Sequence, residues 1–305
     1  MDNFRTGVPF FSIVIPVYNR YDLVKETINS VLNQEMQNFE IVIIDDGSTD
    51  GSGKKLDEVF GIVPGIRIIH QPNLERGAAR NRGIKEAKGE YVVLLDSDDR
   101  LLPNHLSTLF KYIESLNYPD FIATKYEFLR DNKRVSSDIS KYNESYYDYQ
   151  MVLDGNPLAC NVCLKKNNPK LILFIEDRQF AIKEDWMFFI QNLRHQRLYL
   201  IDQVTLLMLD HPDRSMQGDN SILIGKTLSA KKWIIENVEL NDRDLDKLEA
   251  SVGYFCSIHS YLNFERKQAL QFIFSAFNHG GVKAKYIVML AKILAGKKMI
   301  SLLRR

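Results

Sequence analysis

Cysteine is scarce: three residues in 305, too few and odd in number for a disulfide scaffold, which points to a reducing compartment. Long apolar runs are missing too. None reaches the roughly 18 residues a spanning helix needs. The opening MDNFRTGVPF lacks the basic and apolar regions of a signal peptide. The expectation is a cytoplasmic protein. There is no internal repeat and no Gly/Ser linker. With 45% hydrophobic and 26% charged residues, disorder, collagen and low complexity are excluded. The length suits one large domain or two smaller ones.

The last absence is of acid. The formal net charge is +1, yet no Asp or Glu follows Glu265. Residues 266–305 hold nine Lys/Arg and carry +9, while residues 1–265 hold 31 basic and 39 acidic residues and carry −8. Such an asymmetry is one that interaction tails show.

What is present is a βαβ pattern. Phe11–Val17, Phe39–Ile44, Ile66–His70 and Tyr91–Leu95 are short apolar, β-branched runs of the kind a buried parallel strand shows. Helical stretches separate them: one through Leu32 that Asp22 can cap, one around Leu56–Val59, and one over Gly77–Ala87. The alternation predicts a parallel sheet with right-handed crossovers and ligands at the strands' carboxyl ends. After Pro103 the pattern loosens. His105–Leu116 and Asp185–Leu193 read as helices, Phe121–Arg130 and Leu198–Leu209 as strands, and the chain from about Ile222 as helical. Residues 131–149 are polar and tyrosine-rich.

Polar clusters sit where ligands are expected. Asp96-Ser97-Asp98 follows a buried strand, and two carboxylates at that spacing can converge on a hard divalent cation. Alone, the pattern is also an ordinary turn. Asp45-Asp46 ends a second strand, and the basic segment Arg76–Gly83 lies between the two clusters. Clustered carboxylates repel unless something cationic joins them. A metal flanked by arginine suggests a diphosphate ligand.

Four blocks, SIVIPVYN (12–19), FEIVIIDDGSTDGS (39–52), GAARNRGI (77–84) and GEYVVLLDSDD (89–99), resemble the N-terminal half of the family 2 glycosyltransferases, in family order and spacing. The resemblance implies a GT-A fold: an α/β, Rossmann-like, mixed but mainly parallel sheet with helices on both faces, here with a C-terminal helical extension. It implies an inverting enzyme that uses a nucleotide-sugar, a UDP-sugar by preference, with Mn²⁺ or Mg²⁺. The acceptor implied is a glycan or lipid-linked glycan of surface polysaccharide synthesis. By position, Pro16, Val17 and Tyr18 resemble the base pocket, and Asp46 the acid that meets the uracil N3–H, with Asp45 supporting the turn. Asn73 and Arg80 resemble groups near base and phosphate, Asp96 the ribose and metal-shell carboxylate, and Asp98 the direct metal ligand. Asp99 reads as the cap of the next helix. Arg76 and Arg82 are weaker matches.

Two further matches lie downstream. Lys183-Glu184-Asp185-Trp186 resembles the family's E-D motif, which makes Asp185 the general base; a helix-start acid is the competing reading. His211-Pro212-Asp213-Arg214-Ser215 resembles the segment in which His211 completes the metal shell and Arg214 assists the diphosphate; a plain surface loop competes evenly. Cys160 and Cys163 have no partner motif for zinc and read as small buried residues.

The expected organisation is a catalytic domain over 1–221, with a nucleotide half (1–100) and an acceptor half (101–221), then a helical region over 222–305. In the last, Tyr286–Leu294 is apolar nearly all round. It suits packing on the catalytic domain, self-association with a second subunit, or peripheral contact with the cytoplasmic face of a membrane, the last two being favoured. Nucleic acid is disfavoured by the lack of stacking aromatics and groove-reading motifs. Two other classes stay open: a binding-only homologue, and a nucleotidyltransferase. The second is disfavoured because Pro16–Arg20 stands where a glycine-rich basic loop would be.

Overall fold

The computed structural model describes residues 7–211 and 219–303. They fall into two compact units. One holds the chain up to Tyr149 with Pro157–Arg178 and Gln191–His211; the other holds Gln150–Asn156, Gln179–Ile190 and the chain from 219 onward.

The first unit is built on one ten-stranded mixed sheet. Its strands are β1 (Phe11–Val17), β2 (Phe39–Asp45), β3 (Ile66–His70), β4 (Tyr91–Leu94), β5 (Asp99–Leu101), β6 (Phe121–Arg130), β7 (Lys133–Ser136), β8 (Ser145–Tyr147), β9 (Val162–Lys165) and β10 (Leu198–Leu209). The order is β3-β2-β1-β4-β9-β6-β10-β5, with β7 beside β6 and β8 beside β10. β1 pairs in parallel with β2 and β4, β2 with β3, and β6 with β10. β9 runs antiparallel between β4 and β6. This is the mixed, mainly parallel architecture expected of a GT-A domain, and the chain from Asn220 onward adds helices after it in sequence.

The helices of this unit are α1 (Tyr21–Leu32), α2 (Ser52–Phe60), α3 (Glu75–Glu86) and α4 (His105–Ser115). The chain moves outward from β1 to β3, then returns to place β4 on the other side of β1. With right-handed crossovers, α1 and α2 then cover one face and α3 the other. The reversal makes the gap between β1 and β4 the topological switch point, where an open α/β sheet binds its ligand.

Strands β1, β2 and β4 are almost wholly buried. Each Val, Ile or Leu they bury is worth about 1.5–3 kcal/mol. At their amino ends a buried carboxylate is fully answered: Glu40 accepts from Ser12 Oγ (2.6 Å), Arg67 Nε (3.0 Å) and the Lys88 N–H (2.6 Å). A buried charge is tolerable only when it is paired in this way.

Two expectations are corrected, and one segment gains structure that the sequence left undescribed. Asp22 does not cap α1; it sits in the first turn, and Arg20 holds the cap position without a side-chain bond of its own. Asp99 does not cap the helix after it. It opens β5, antiparallel to β10, and Asn104 precedes α4. The polar segment 131–149 contains β7 and β8, which pair at the sheet's margins. Both early cysteines are buried as expected, with Cys163 inside β9.

The second unit is helical: α5 (Gln150–Leu153), the part of α6 (Glu184–Leu193) up to Ile190, α7 (Asn220–Asn237), α8 (Asp242–Leu262), α9 (Arg266–Gly280) and α10 (Ala284–Leu303). Asp219 caps α7, accepting from the N–H groups of Ser221 (2.7 Å) and Ile222 (3.3 Å). Asn241 caps α8 through Asp244 N–H at 2.9 Å. α10 is interrupted at Gly296, whose φ of 73° no helix contains.

The contact between α3 and β1 depends on Gly83. A Cβ added there runs into Cγ1 of Val14. Gly83→Ala is expected to destabilise the protein by about 1–3 kcal/mol in urea unfolding. Because the two side chains compete for one space, the Val14→Ala/Gly83→Ala double variant should lose less than the sum of the two single variants.

Candidate functional site

The loops after β1 and β2 hold each other. Asn19 and Arg20 are both left-handed, at φ 58° and 71°. The neighbouring loop answers their amides. Asn19 N–H donates to Ser48 Oγ (2.7 Å), Arg20 N–H to Asp50 Oδ2 (3.2 Å) and Tyr21 N–H to Ser52 Oγ (3.0 Å). In return Thr49 N–H donates to Asn19 Oδ1 at 2.9 Å. The start of α1 is thus capped by another loop, which is why it needs no cap of its own. Pro16 and Val17 end β1, and Tyr18 stands half-exposed just beyond.

The two acids that end β2 face different partners. Asp45 accepts from Ser48 N–H (3.1 Å) and lies 2.8 Å from His70 Nδ1, so it supports the turn. Asp46 uses Oδ1 for Gln71 Nε2 (2.7 Å) and Leu74 N–H (2.9 Å), and its Oδ2 has no partner among the described residues. Gly47, at φ 74°, lets this turn approach: a Cβ would stand 2.7 Å from Asn73 N. Asn73 is gripped by Arg178, whose Nη2 donates to Asn73 Oδ1 at 2.8 Å and also to its carbonyl oxygen.

The acids after β4 form the charged centre. Oxygens of Asp96, Asp98 and Asp99 all lie within 4.8 Å of one another. Arg80 rises buried from α3 and donates to Asp96 Oδ1 at 2.6 Å, and its guanidinium covers the Phe174 ring at 5.4 Å. Asp98 Oδ2 accepts from Arg20 Nη1 at 3.3 Å and meets His211 Nε2 at 2.9 Å. The buried Nδ1 of His211 has no partner among the described residues. Thr27 Oγ1 of α1 donates to the Ser97 carbonyl at 3.0 Å and pins the turn.

Pro16, Val17, Tyr18, Asp46, Asn73, Arg80, Asp96, Asp98 and His211 therefore all belong to the first unit, on the strand ends and loops around the switch point. Arg214 lies outside the described residues. Asp185 belongs to the second unit. It is the second residue of α6, with Oδ2 accepting from Asn156 Nδ2 at 3.0 Å and Oδ1 from Trp186 N–H at 2.7 Å. Ile182, three residues earlier, has φ 81°. That is strained for a β-branched residue, and such strain concentrates at functional sites. Lys183 is buried with Nζ 4.1 Å from the Phe255 ring centroid, and burial lowers its pKa.

Four contributors escaped sequence reading. Asp99 joins the acid cluster, Arg20 pairs with Asp98, Arg178 holds Asn73, and Asn81 ties α3 to Phe174 and Glu176 at 2.8 Å each. A full D-S-D-D reading could have found Asp99. The others act across long sequence distances and leave no local pattern. Arg82 pairs with Glu86 on the helix surface at 2.9 Å.

Comparison with known proteins decides the family: the model of "Glycosyl transferase family 2" matches residues 12–164, half the chain. The chain belongs to glycosyl transferase family 2. An uncharacterized glycosyltransferase of Haemophilus influenzae is 31% identical over 192 residues, 62% of this chain and 73% of that protein. Glycosyltransferase GlyG of Streptococcus pneumoniae is 37% identical over 118 residues, 38% of this chain and 39% of GlyG. An uncharacterized glycosyltransferase of Rickettsia felis is matched over only 24% of its length, so the chain spans well under half of several curated relatives. Among solved structures, S. aureus TarS 1–349 in complex with UDP-GlcNAc superposes with a TM-score of 0.68. That match covers 92% of this chain and 83% of the TarS chain at 19% identity. At that identity the likeness speaks for the fold.

The Asp45–His70 pair gives a pH signature. Bonding to Asp45 raises the His70 pKa above its ordinary 6.5, against a smaller opposing effect of burial. The native state therefore holds this proton more tightly than the unfolded state does. Its contribution is complete below pH 6.5 and is lost as pH rises through the folded value. His70→Gln should lower the urea midpoint on the acid side of neutrality, and the deficit should vanish toward alkaline pH.

Proposed function

We propose that this family member is a metal-dependent, inverting glycosyltransferase that moves a sugar from a UDP-sugar to a hydroxyl of a glycan or lipid-linked glycan in surface polysaccharide synthesis. One observation carries the reading. Three carboxylates converge at the switch point beside a buried arginine, the arrangement that a cation and a diphosphate together would neutralise. The donor set fits Mn²⁺ or Mg²⁺: carboxylate oxygens, plus an imidazole at His211 that suits Mn²⁺. Asp98 and His211 would hold the ion, with Asp96 beside them. When bound, it offsets the charge that builds on the leaving diphosphate.

The remaining roles belong to the chain. Asp46 Oδ2 accepts the N3–H of a uracil, and the exposed face of Tyr18 stacks on the ring. Asn73, fixed by Arg178, lines the base side. Asp96 takes the ribose hydroxyls, and Arg80 supplies fixed positive charge close to the phosphates. That TarS shares this fold and binds UDP-GlcNAc supports a UDP-sugar donor. Asp185 accepts the acceptor's hydroxyl proton as its oxygen bonds to C1. The C1–O bond to the diphosphate breaks, UDP leaves with the electron pair, and attack from the opposite face inverts the anomeric centre. Asn156 and the Trp186 N–H orient the Asp185 carboxylate for that proton.

Asp185→Asn should cut transfer by about 10²–10⁴-fold, the usual scale for a general base, and leave UDP binding intact. Near-normal turnover would remove Asp185 from the role. Asp98→Ala should weaken UDP binding measured with Mn²⁺ far more than binding measured without it; equal loss in both would remove Asp98 as a ligand. Thermal stabilisation by a panel of nucleotide-sugars with Mn²⁺ would identify the donor.

A further inference from the structure

Helix α10 is apolar on two sides, and only one is packed. Tyr286, Met289 and Ile293 are buried against Ala269, Ile273 and Ala276 of α9. The opposite side carries Ala284, Ile287, Val288, Ala291 and Leu294, all exposed. Ile287, Val288 and Leu294 each keep more than half of their surface in solvent. At about 100° per residue these five positions form one continuous arc of roughly a third of the helix circumference. Exposed Lys292 borders that arc on one side, and Lys283 precedes it in the turn before the helix. Val282 in the same turn is 81% exposed.

A contiguous apolar stripe of this kind needs an occupant. No described helix is long and apolar enough to cross a membrane. The charge pattern chooses the occupant. Residues 266–305 contain nine basic and no acidic residues. A symmetric pairing of this face with itself would set its flanking lysines, Lys283 and Lys292, against like charges. An anionic surface is complemented by them. The geometry points to an anionic lipid bilayer as the occupant: α10 lies in the plane of the headgroups, its apolar stripe dips between them, and the flanking lysines meet lipid phosphates. This goes beyond the transfer reaction and does not depend on the donor or the base assigned above.

The test is sedimentation of the full chain with vesicles of phosphatidylcholine alone or enriched in phosphatidylglycerol. Binding is expected to the anionic vesicles only, and to fall as salt rises. Ile287→Asp/Leu294→Asp should abolish it with unchanged circular dichroism and thermal midpoint, since both side chains are exposed. Lys292→Glu, a reversal of one surface charge, should weaken it about thirtyfold. Equal binding to both vesicle types, no binding to either, or binding untouched by these variants would overturn the proposal. So would a concentration-dependent dimer that the Ile287→Asp/Leu294→Asp variant converts to monomer. UDP binding, measured in parallel, reports on the transfer reading separately.

Discussion

Carboxylates gathered at the end of a buried strand repel one another, and much of the first unit is arranged to answer that repulsion. Asp96, Asp98 and Asp99 stand within 4.8 Å because β4 ends where β5 turns back toward β10. The answering groups come from far along the chain: the Arg80 guanidinium from α3, the Arg20 guanidinium from the loop before α1, and the His211 imidazole from the residue pair after β10. Both arginines arrive with support of their own. The left-handed Arg20 is held by Asp50, and Arg80 lies against Phe174, whose segment is bonded to Asn81. Removing either arginine would leave charge at a partly dry site, where it is far more costly than in water. The opposite ends of the same strands show what a purely structural solution looks like: Glu40 is buried and has its partners supplied within the protein. At the carboxyl ends the cluster gathers more acid than the fold alone requires.

The second unit solves a different problem. Asp185 sits in the first turn of α6, where the helix dipole alone does not fix the direction of its carboxylate. Asn156 and the Trp186 amide do, and Trp186 is fixed in turn by its indole N–H donating to the Val152 carbonyl at 2.7 Å. The unfavourable φ of Ile182 lies just before this arrangement. Burial around the same helix is severe: it lowers the pKa of Lys183, and it pulls His259 down to about 4, with the Lys183 charge adding to the effect.

The parallel core was legible because strands buried on both faces must be continuous apolar runs, and Phe11–Val17 and Phe39–Asp45 are such runs. The acids were legible because they follow those runs directly. β9 was not: four residues, Val162-Cys163-Leu164-Lys165, are too few to show a period, and they acquire strand structure only from β4 and β6. β7 stayed hidden for the opposite reason, since all four of its residues are exposed and polar patterning reads as loop. Asp99 misled because a carboxylate before a helix is ordinarily a cap, and only pairing with Met208 makes it a strand residue. Arg178 and Asn81 work through hydrogen bonds spanning 105 and 93 residues, a separation over which no sequence pattern persists.

The antiparallel insertion of β9 also bears on how the chain is made. Strands β1 to β4 and their helices are contiguous in sequence and can assemble as soon as they are synthesised. β4 then has β1 on one side and nothing on the other until Val162–Lys165 exists. About seventy residues separate Leu94 from Lys165, so at ~5–20 residues per second the apolar edge Tyr91-Val92-Val93-Leu94 waits unpaired for roughly 4–14 s. An open edge of that composition is a template for pairing with another chain. During translation, the sheet edge beside the acid cluster is therefore open to misassociation until a four-residue strand covers it.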